Sequence, residues 1–217
     1  MTSFFWAKAL LNDSYSLEGD AHFNTDGKNV EISNNNAKII TRKEQAKGKV
    51  WSTKYGFQPK DFNYTSGLIS TGNGFRQKYG KFEAKIKMNR LHPGYQAFWM
   101  VGEQMIPQID IINAQGKSNQ GAQVANYYKN GTVQRNFSKV SGLNLTSDYF
   151  IYTLEWSANK LVWKINDVEI YSATQGIPDE PLYLIFSAGL RGEIDGSKLP
   201  QTMEIDWVKC YKKVEQE

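Results

Sequence analysis

The chain of 217 residues holds a single cysteine, Cys210. That excludes an intramolecular disulfide and any cysteine-built metal cluster. Cys210 sits in the alternating run Trp207-Val208-Lys209-Cys210-Tyr211, which reads as a thiol packed on a strand rather than a nucleophile. Histidine is nearly as scarce. His22 and His92 stand alone without metal-ligand spacing, so neither a zinc site nor a catalytic histidine is expected. No apolar run approaches the ~20 residues of a membrane-spanning helix. A basic run is also lacking and the formal net charge is only +4, so nucleic-acid binding has no electrostatic footprint. Long helical periodicity, internal repeats, linkers and low-complexity stretches are missing. The segment Ser3–Leu11 has apolar patches without a basic flank or a clear cleavage site, and reads as a first strand or leading segment rather than a signal peptide.

What remains is an ordinary globular balance, 40% apolar with mixed charges, of a length that suits one domain over residues 1–217. The chain is a succession of short alternating runs broken by Gly, Asn, Asp and Pro. Val30–Ser33 and Ala37–Thr41 flank the turn signal Asn34-Asn35-Asn36. Tyr79–Met88 alternates throughout, with Lys81, Glu83, Lys85 and Lys87 on one face. Tyr149–Trp156 and Leu161–Tyr171 form further blocks, the second interrupted by Asn166-Asp167, a hairpin turn pair. Pro181–Ala188 is an apolar run suited to a buried strand, and Thr202–Lys212 returns to alternation. These patterns predict an all-β sandwich of two antiparallel sheets with almost no helix.

The stretch Gln108-Ile109-Asp110-Ile111-Ile112-Asn113 carries the most information about chemistry. On a strand, Gln108 and Asp110 share one face, and Asn113 is out of phase with them. One extra residue, a β-bulge between Asp110 and Asn113, would bring all three to one side. Written with Glu at both ends, E-x-D-x-x-E, this is the signature that the segment resembles: glycoside hydrolase family 16. The resemblance runs from about Asn63 to Tyr211. It includes Asn63-Tyr64-Thr65-Ser66-Gly67, Lys78-Tyr79-Gly80-Lys81-Phe82-Glu83-Ala84, Tyr95-Gln96-Ala97-Phe98-Trp99-Met100, Tyr152-Thr153-Leu154-Glu155-Trp156 with Val162-Trp163-Lys164-Ile165-Asn166-Asp167, and Met203-Glu204-Ile205-Asp206-Trp207. It implies a concanavalin A-like β-jelly-roll with a concave cleft for a linear β-linked polysaccharide, in an extracellular, periplasmic or cell-surface setting.

The resemblance also shows what has changed. A retaining glycosidase uses two carboxyl groups about 5–5.5 Å apart. Here both glutamate positions are amides, Gln108 and Asn113, which can neither ionise nor deliver a proton near neutral pH. Leu68 stands where the family often has Arg, Tyr95-Gln96 where it has Trp-Pro, Met105-Ile106-Pro107 where it often has an aromatic, and Ser187-Ala188-Gly189-Leu190 where it often has Asn and Trp. No catalytic residue is therefore expected to be intact at the degenerate positions Gln108, Asp110 and Asn113. Tyr95 and Trp99 share a face and are expected to stack on sugar, with Asn126 and Tyr128 on the neighbouring strand; Tyr127 is assigned to the core. The resemblance requires no cofactor but implies a structural calcium on the convex face, anchored by Asp206. Glu103 is assigned a structural role, and Glu193 and Asp195 are placed in a loop rimming the cleft. Three functions follow from these residues: a silent family-16-like domain that binds a polysaccharide or a partner, an active endo-β-glycosidase using an unrecognised second carboxylate, and a structural or protein-binding module.

Overall fold

The computed structural model describes residues 15–89, 93–115 and 121–212. The expectations for Ser3–Leu11 and His92 lie outside these residues. Two sheets pack face to face. The larger runs β14 (Val168–Ala173), β13 (Leu161–Ile165), β12 (Tyr149–Trp156), β7 (Gly80–Lys87), β16 (Gln201–Tyr211), β4 (Asn36–Ser52), β5 (Gly56–Ser66), β2 (Phe23–Asn24). Two short strands, β1 (Ser16–Leu17) and β3 (Val30–Ser33), join it against β4. The smaller runs β11 (Thr132–Val140), β10 (Ala122–Asn130), β9 (Gln108–Gln115), β8 (Gly94–Val101), β15 (Tyr183–Leu190), β6 (Leu68–Ser70). Among the described residues the only helical element is a 3-10 turn at Gly196–Lys198. The all-β sandwich predicted from the sequence is the observed architecture.

The predicted turns are present for the predicted reason. Two-residue hairpin turns that match strand twist need left-handed backbone, which Asn and Asp tolerate best after Gly. Asn34 and Asn35 have φ of 48° and 60°, and Asn166 and Asp167 have φ of 48° and 64°. They join β3 to β4 and β13 to β14.

One core lies between the sheets. Phe82 and Ile86 of β7, Tyr152 and Leu154 of β12, Trp163 of β13 and Ile205 of β16 come from the larger sheet. Phe98 and Met100 of β8, Ile109, Ile111 and Ile112 of β9, and Leu184 and Phe186 of β15 meet them from the smaller. Phe98 and Phe186 face each other across the β8–β15 pair and stack with centroids 4.4 Å apart. Burying large apolar side chains of this kind stabilises by roughly 1.5–3 kcal/mol each, which is why alternation fixes the faces of β8 and β9 so firmly. Gln96 falls on the core side of β8, and its amide closes a pair of hydrogen bonds with the backbone of Asn89, at 3.0 and 2.9 Å. Cys210 packs against the core edge, and burial pushes its thiol up to about 11, which leaves it inert as a nucleophile.

Candidate functional site

The face of the smaller sheet turned away from the core is organised by the bulge. Trp99 pairs with Asp110 while the preceding Phe98 pairs with Ile112, so Ile111 has no partner on β8. On β10 the same step appears between Ala125, opposite Asp110, and Gln123, opposite Asn113. Ile109, Ile111, Ile112 and Ala114 all go into the core, and Gln108, Asp110 and Asn113 all face outward. The position of the bulge is the one parity demands. The backbone carbonyl of Asp110 accepts a hydrogen bond of 3.0 Å from the indole N–H of Trp163, which reaches across from the larger sheet. A bulge disrupts the local ladder, and this fully buried donor gives the carbonyl a side-chain partner from the other sheet.

The three outward side chains bind each other. Gln108 Nε2 donates to Asp110 Oδ1 at 2.7 Å, and Asn113 Nδ2 donates to Asp110 Oδ2 at 3.1 Å. Asp110 is only 1% exposed. Burial pushes its carboxyl up from the ordinary range, while the two amide donors and the nearby Arg135 charge pull it back. Both of its oxygens are thus engaged by neutral groups. Asp110 is also the only acidic side chain in all six strands of this sheet.

Strand register arranges the outer face in rows, because residues directly opposite on adjacent strands share a face. The central row reads Ile185, Trp99, Asp110, Ala125, Phe137. Beside it on one side run Tyr183, Val101, Gln108, Tyr127, Arg135, and on the other Ser187, Ala97, Asn113, Gln123, Lys139. Trp99 and Phe137 are three strands apart, about 14 Å at ordinary strand spacing. Between them the small Ala125 leaves the sheet low beside Asp110. Trp99 is partly buried against Leu68, Tyr183 and Ile185, and its indole N–H donates to Ser187 Oγ at 3.1 Å. Phe137 is 42% exposed, with the Arg135 guanidinium 4.0 Å above its ring centroid.

The register corrects several expectations. Asn126 and Tyr128 do share a face, but it is not the outer one, because Asn126 pairs with the core-facing Ile109. Asn126 is buried and donates to the carbonyls of Gln175 and Gly176 at 3.1 and 2.9 Å. The Tyr128 ring lies against Gly176, where an added Cβ would come within 2.0 Å of it. Together they dock the chain at residues 175 and 176. Tyr127, assigned to the core from sequence, is the residue that faces outward. Burial and the neighbouring Asp110 charge both push its phenol up. Tyr95 does face outward beside Ala97, but it is no open platform. His22 packs against its ring with centroids 5.9 Å apart, and the Arg191 guanidinium sits 5.1 Å from the ring centroid. Sequence reasoning also passed over Arg135 and Phe137. The signal was there: Val133, Arg135, Phe137 and Lys139 alternate with Gln134, Asn136 and Ser138.

Other expected residues lie away from this centre. Glu103 is ion-paired with Arg76. Glu193 accepts a hydrogen bond of 2.7 Å from the Tyr64 hydroxyl, and Asp195 caps the 3-10 turn by accepting from Ser197 N at 3.0 Å. Asp206 stands at a bulge of β16 with its carboxylate 2.7 Å from the Lys85 ammonium. Calcium takes six to eight oxygen ligands. Among the described residues no group of three or more acidic, His or Cys side chains gathers there, so a calcium at Asp206 would draw its other ligands from backbone carbonyls and water.

The family model for glycosyl hydrolases family 16 matches residues 17–209. The chain belongs to this family. Among its curated relatives is an endo-1,3-1,4-beta-glycanase of Rhizobium meliloti (strain 1021), 27% identical over 158 residues, which are 69% of this chain and 34% of that protein. Another is a keratan-sulfate endo-1,4-beta-galactosidase of Sphingobacterium multivorum, 29% identical over 171 residues, 69% of this chain and 40% of that protein. The chain thus spans about a third of the length of these curated relatives. The fold is that of the laminarinase catalytic domain of Thermotoga maritima MSB8, with a TM-score of 0.77 at 23% identity, covering 99% of this chain and 94% of that one.

Proposed function

We propose that this family-16 domain holds a β-linked polysaccharide along the outer face of its smaller sheet and does not cleave it. One observation carries the reading: Asp110 is the only carboxyl group in six strands, and its two flanking motif positions are amides hydrogen-bonded to it. Retaining and inverting glycosidases both need a pair of carboxyl groups, one to deliver a proton and one to attack or to activate water. Gln108 and Asn113 can do neither, and Asp110 has its oxygens committed. Segments 90–92 and 116–120 contain no acidic residue to supply the missing partner.

Binding requires less than catalysis. Sugars are held by flat aromatic faces and a few fixed polar groups. Trp99 and Phe137 supply the faces within the central row, and Gln108, Asn113, Gln123 and Tyr127 supply donors and acceptors in the rows beside it. Such a domain would work where polysaccharide is met, outside the cytoplasm.

The test is a pair of assays on one preparation. Laminarin, lichenan, agarose and carrageenan are incubated with the domain, and new reducing ends are counted. The same glycans are then cast in native gels to measure retardation. Retardation by one of them without new ends supports the reading. New ends that disappear with Asp110→Asn would establish an active glycosidase. Retardation by none would leave a structural or protein-binding module.

A further inference from the structure

Resting on the reading that the outer face holds a polysaccharide, we infer that this polysaccharide is anionic, bearing sulfate esters or uronate carboxylates, and that Arg135, Lys139 and Lys129 select it. The six strands of the smaller sheet carry three cationic side chains, Lys129, Arg135 and Lys139, against the one enclosed Asp110. Register puts all three on the outer face. Lys139 is opposite Gln123, Arg135 opposite Tyr127, and Lys129 opposite Val133, in step with Phe137 opposite Ala125. The reverse face of β11 presents Gln134, Asn136 and Ser138, which are neutral.

The strands of the larger sheet intersperse their cations with carboxylates, Glu44, Glu83, Glu155 and Glu204 among them. Lys38, Lys78, Lys81, Lys85 and Lys164 each meet a carboxylate within 4 Å, and so do Arg42, Arg76 and Arg191. Among the described residues, Lys129, Arg135 and Lys139 form no such ion pair. Lysines on an edge strand can serve to block pairing with another chain. That purpose does not require every charge on one face of β11, nor one of them on β10. Arg135 is moreover held in place: it stacks on Phe137 at 4.0 Å and lies near enough to Asp110 to favour its charge. A planar guanidinium fixed on an aromatic ring presents two parallel donors, the geometry that sulfate and carboxylate oxygens accept. A neutral glucan on the same face would leave three unpaired cations at its side. A polyanion would neutralise them where the enclosed Asp110 does not.

The experiment compares a sulfated galactan, a polyuronate, neutral laminarin and a DNA duplex as an unrelated polyanion. Each is titrated at low and at high salt with wild type, Trp99→Ala, Arg135→Gln, Lys139→Gln and the distant Lys160→Gln. The expected result is tightest binding to one of the anionic glycans, weakened by salt, about tenfold by Arg135→Gln, and also by Trp99→Ala, with Lys160→Gln unchanged. Which anionic glycan binds distinguishes sulfate from carboxylate. Equal or tighter binding of laminarin, insensitive to Arg135→Gln, overturns the anionic proposal and leaves the polysaccharide reading standing. DNA binding as tight as glycan binding shows a generic polyanion surface and overturns it as well. No binding of any glycan removes both.

Discussion

Gln108 donates its amide to Asp110 across 2.7 Å, and Asp110 is enclosed beneath it. An acid held above its ordinary range by burial makes the folded state bind more protons than the unfolded one. The excess lies between the unfolded pKa, about 3.9, and the raised folded value. Through that window unfolding free energy falls as pH rises. Wild type should therefore lose stability relative to Asp110→Asn as pH climbs above about 4. Urea midpoints of both proteins between pH 4 and 7 give the difference. A gap that is flat, or that grows in favour of wild type, would mean the amides and Arg135 outweigh burial.

The bulge that aligns the motif is hydrogen-bonded to a residue of the other sheet. Trp163→Phe keeps most of the buried volume but leaves the Asp110 carbonyl without its indole donor, at an expected cost of about 1–3 kcal/mol. Trp163→Ala should cost about 3–5 kcal/mol through the cavity it opens. Chemical denaturation measures both. A Trp163→Phe variant as stable as wild type would show that the carbonyl finds another partner.

His22 occupies the space a side chain at residue 189 would take. An alanine Cβ there would lie 2.1 Å from His22 Cε1, so Gly189→Ala should destabilise by about 1–3 kcal/mol. Burial lowers the pKa of His22, against the opposing pull of Asp20 and the Leu190 carbonyl. A base with a lowered folded pKa leaves the unfolded chain binding more protons, so stability is lost as pH falls below about 6.5. In His22→Gln the unfolding free energy should lose that dependence between pH 6.5 and 5. A slope identical to wild type would assign the acid sensitivity elsewhere.

Sequence legibility followed the physics of each element. The bulge could be read because four apolar residues and three polar ones must part company, and only one extra residue lets them. The faces of β8 followed from Phe98 and Met100, which leave no doubt about the core side. On β10 the run Val124-Ala125-Asn126-Tyr127-Tyr128 gives no such contrast, since both parities hold apolar and polar groups. Only pairing with β9 decides that Ala125 and Tyr127 face outward. The covering of Tyr95 by His22 joins residues far apart in sequence, and no local pattern reports it. Phe137 and Arg135 alternate visibly with polar neighbours, but nothing in their strand resembles the family motif, so alternation alone does not mark them as site residues.

Restoring the motif should not restore turnover. Gln108→Glu with Asn113→Glu places three carboxyl groups in contact, yet Leu68 and the His22-covered Tyr95 remain where family members often carry sugar-contacting Arg and Trp. The double variant should release no reducing ends from the glycans tested. It should also be less stable at pH 7 than at pH 5, because like charges at hydrogen-bonding distance resist ionising together. Turnover by this variant would show that this face still seats a substrate productively.

A domain that grips a polysaccharide chain without cutting it leaves that chain at its full length. The most direct measurement is the chain length of a glycan that retards the wild-type domain in a native gel, compared before and after long incubation by size-exclusion chromatography. Retardation with an unchanged length distribution is the expected result. A distribution that shortens with wild type and stays unchanged with Asp110→Asn would contradict it.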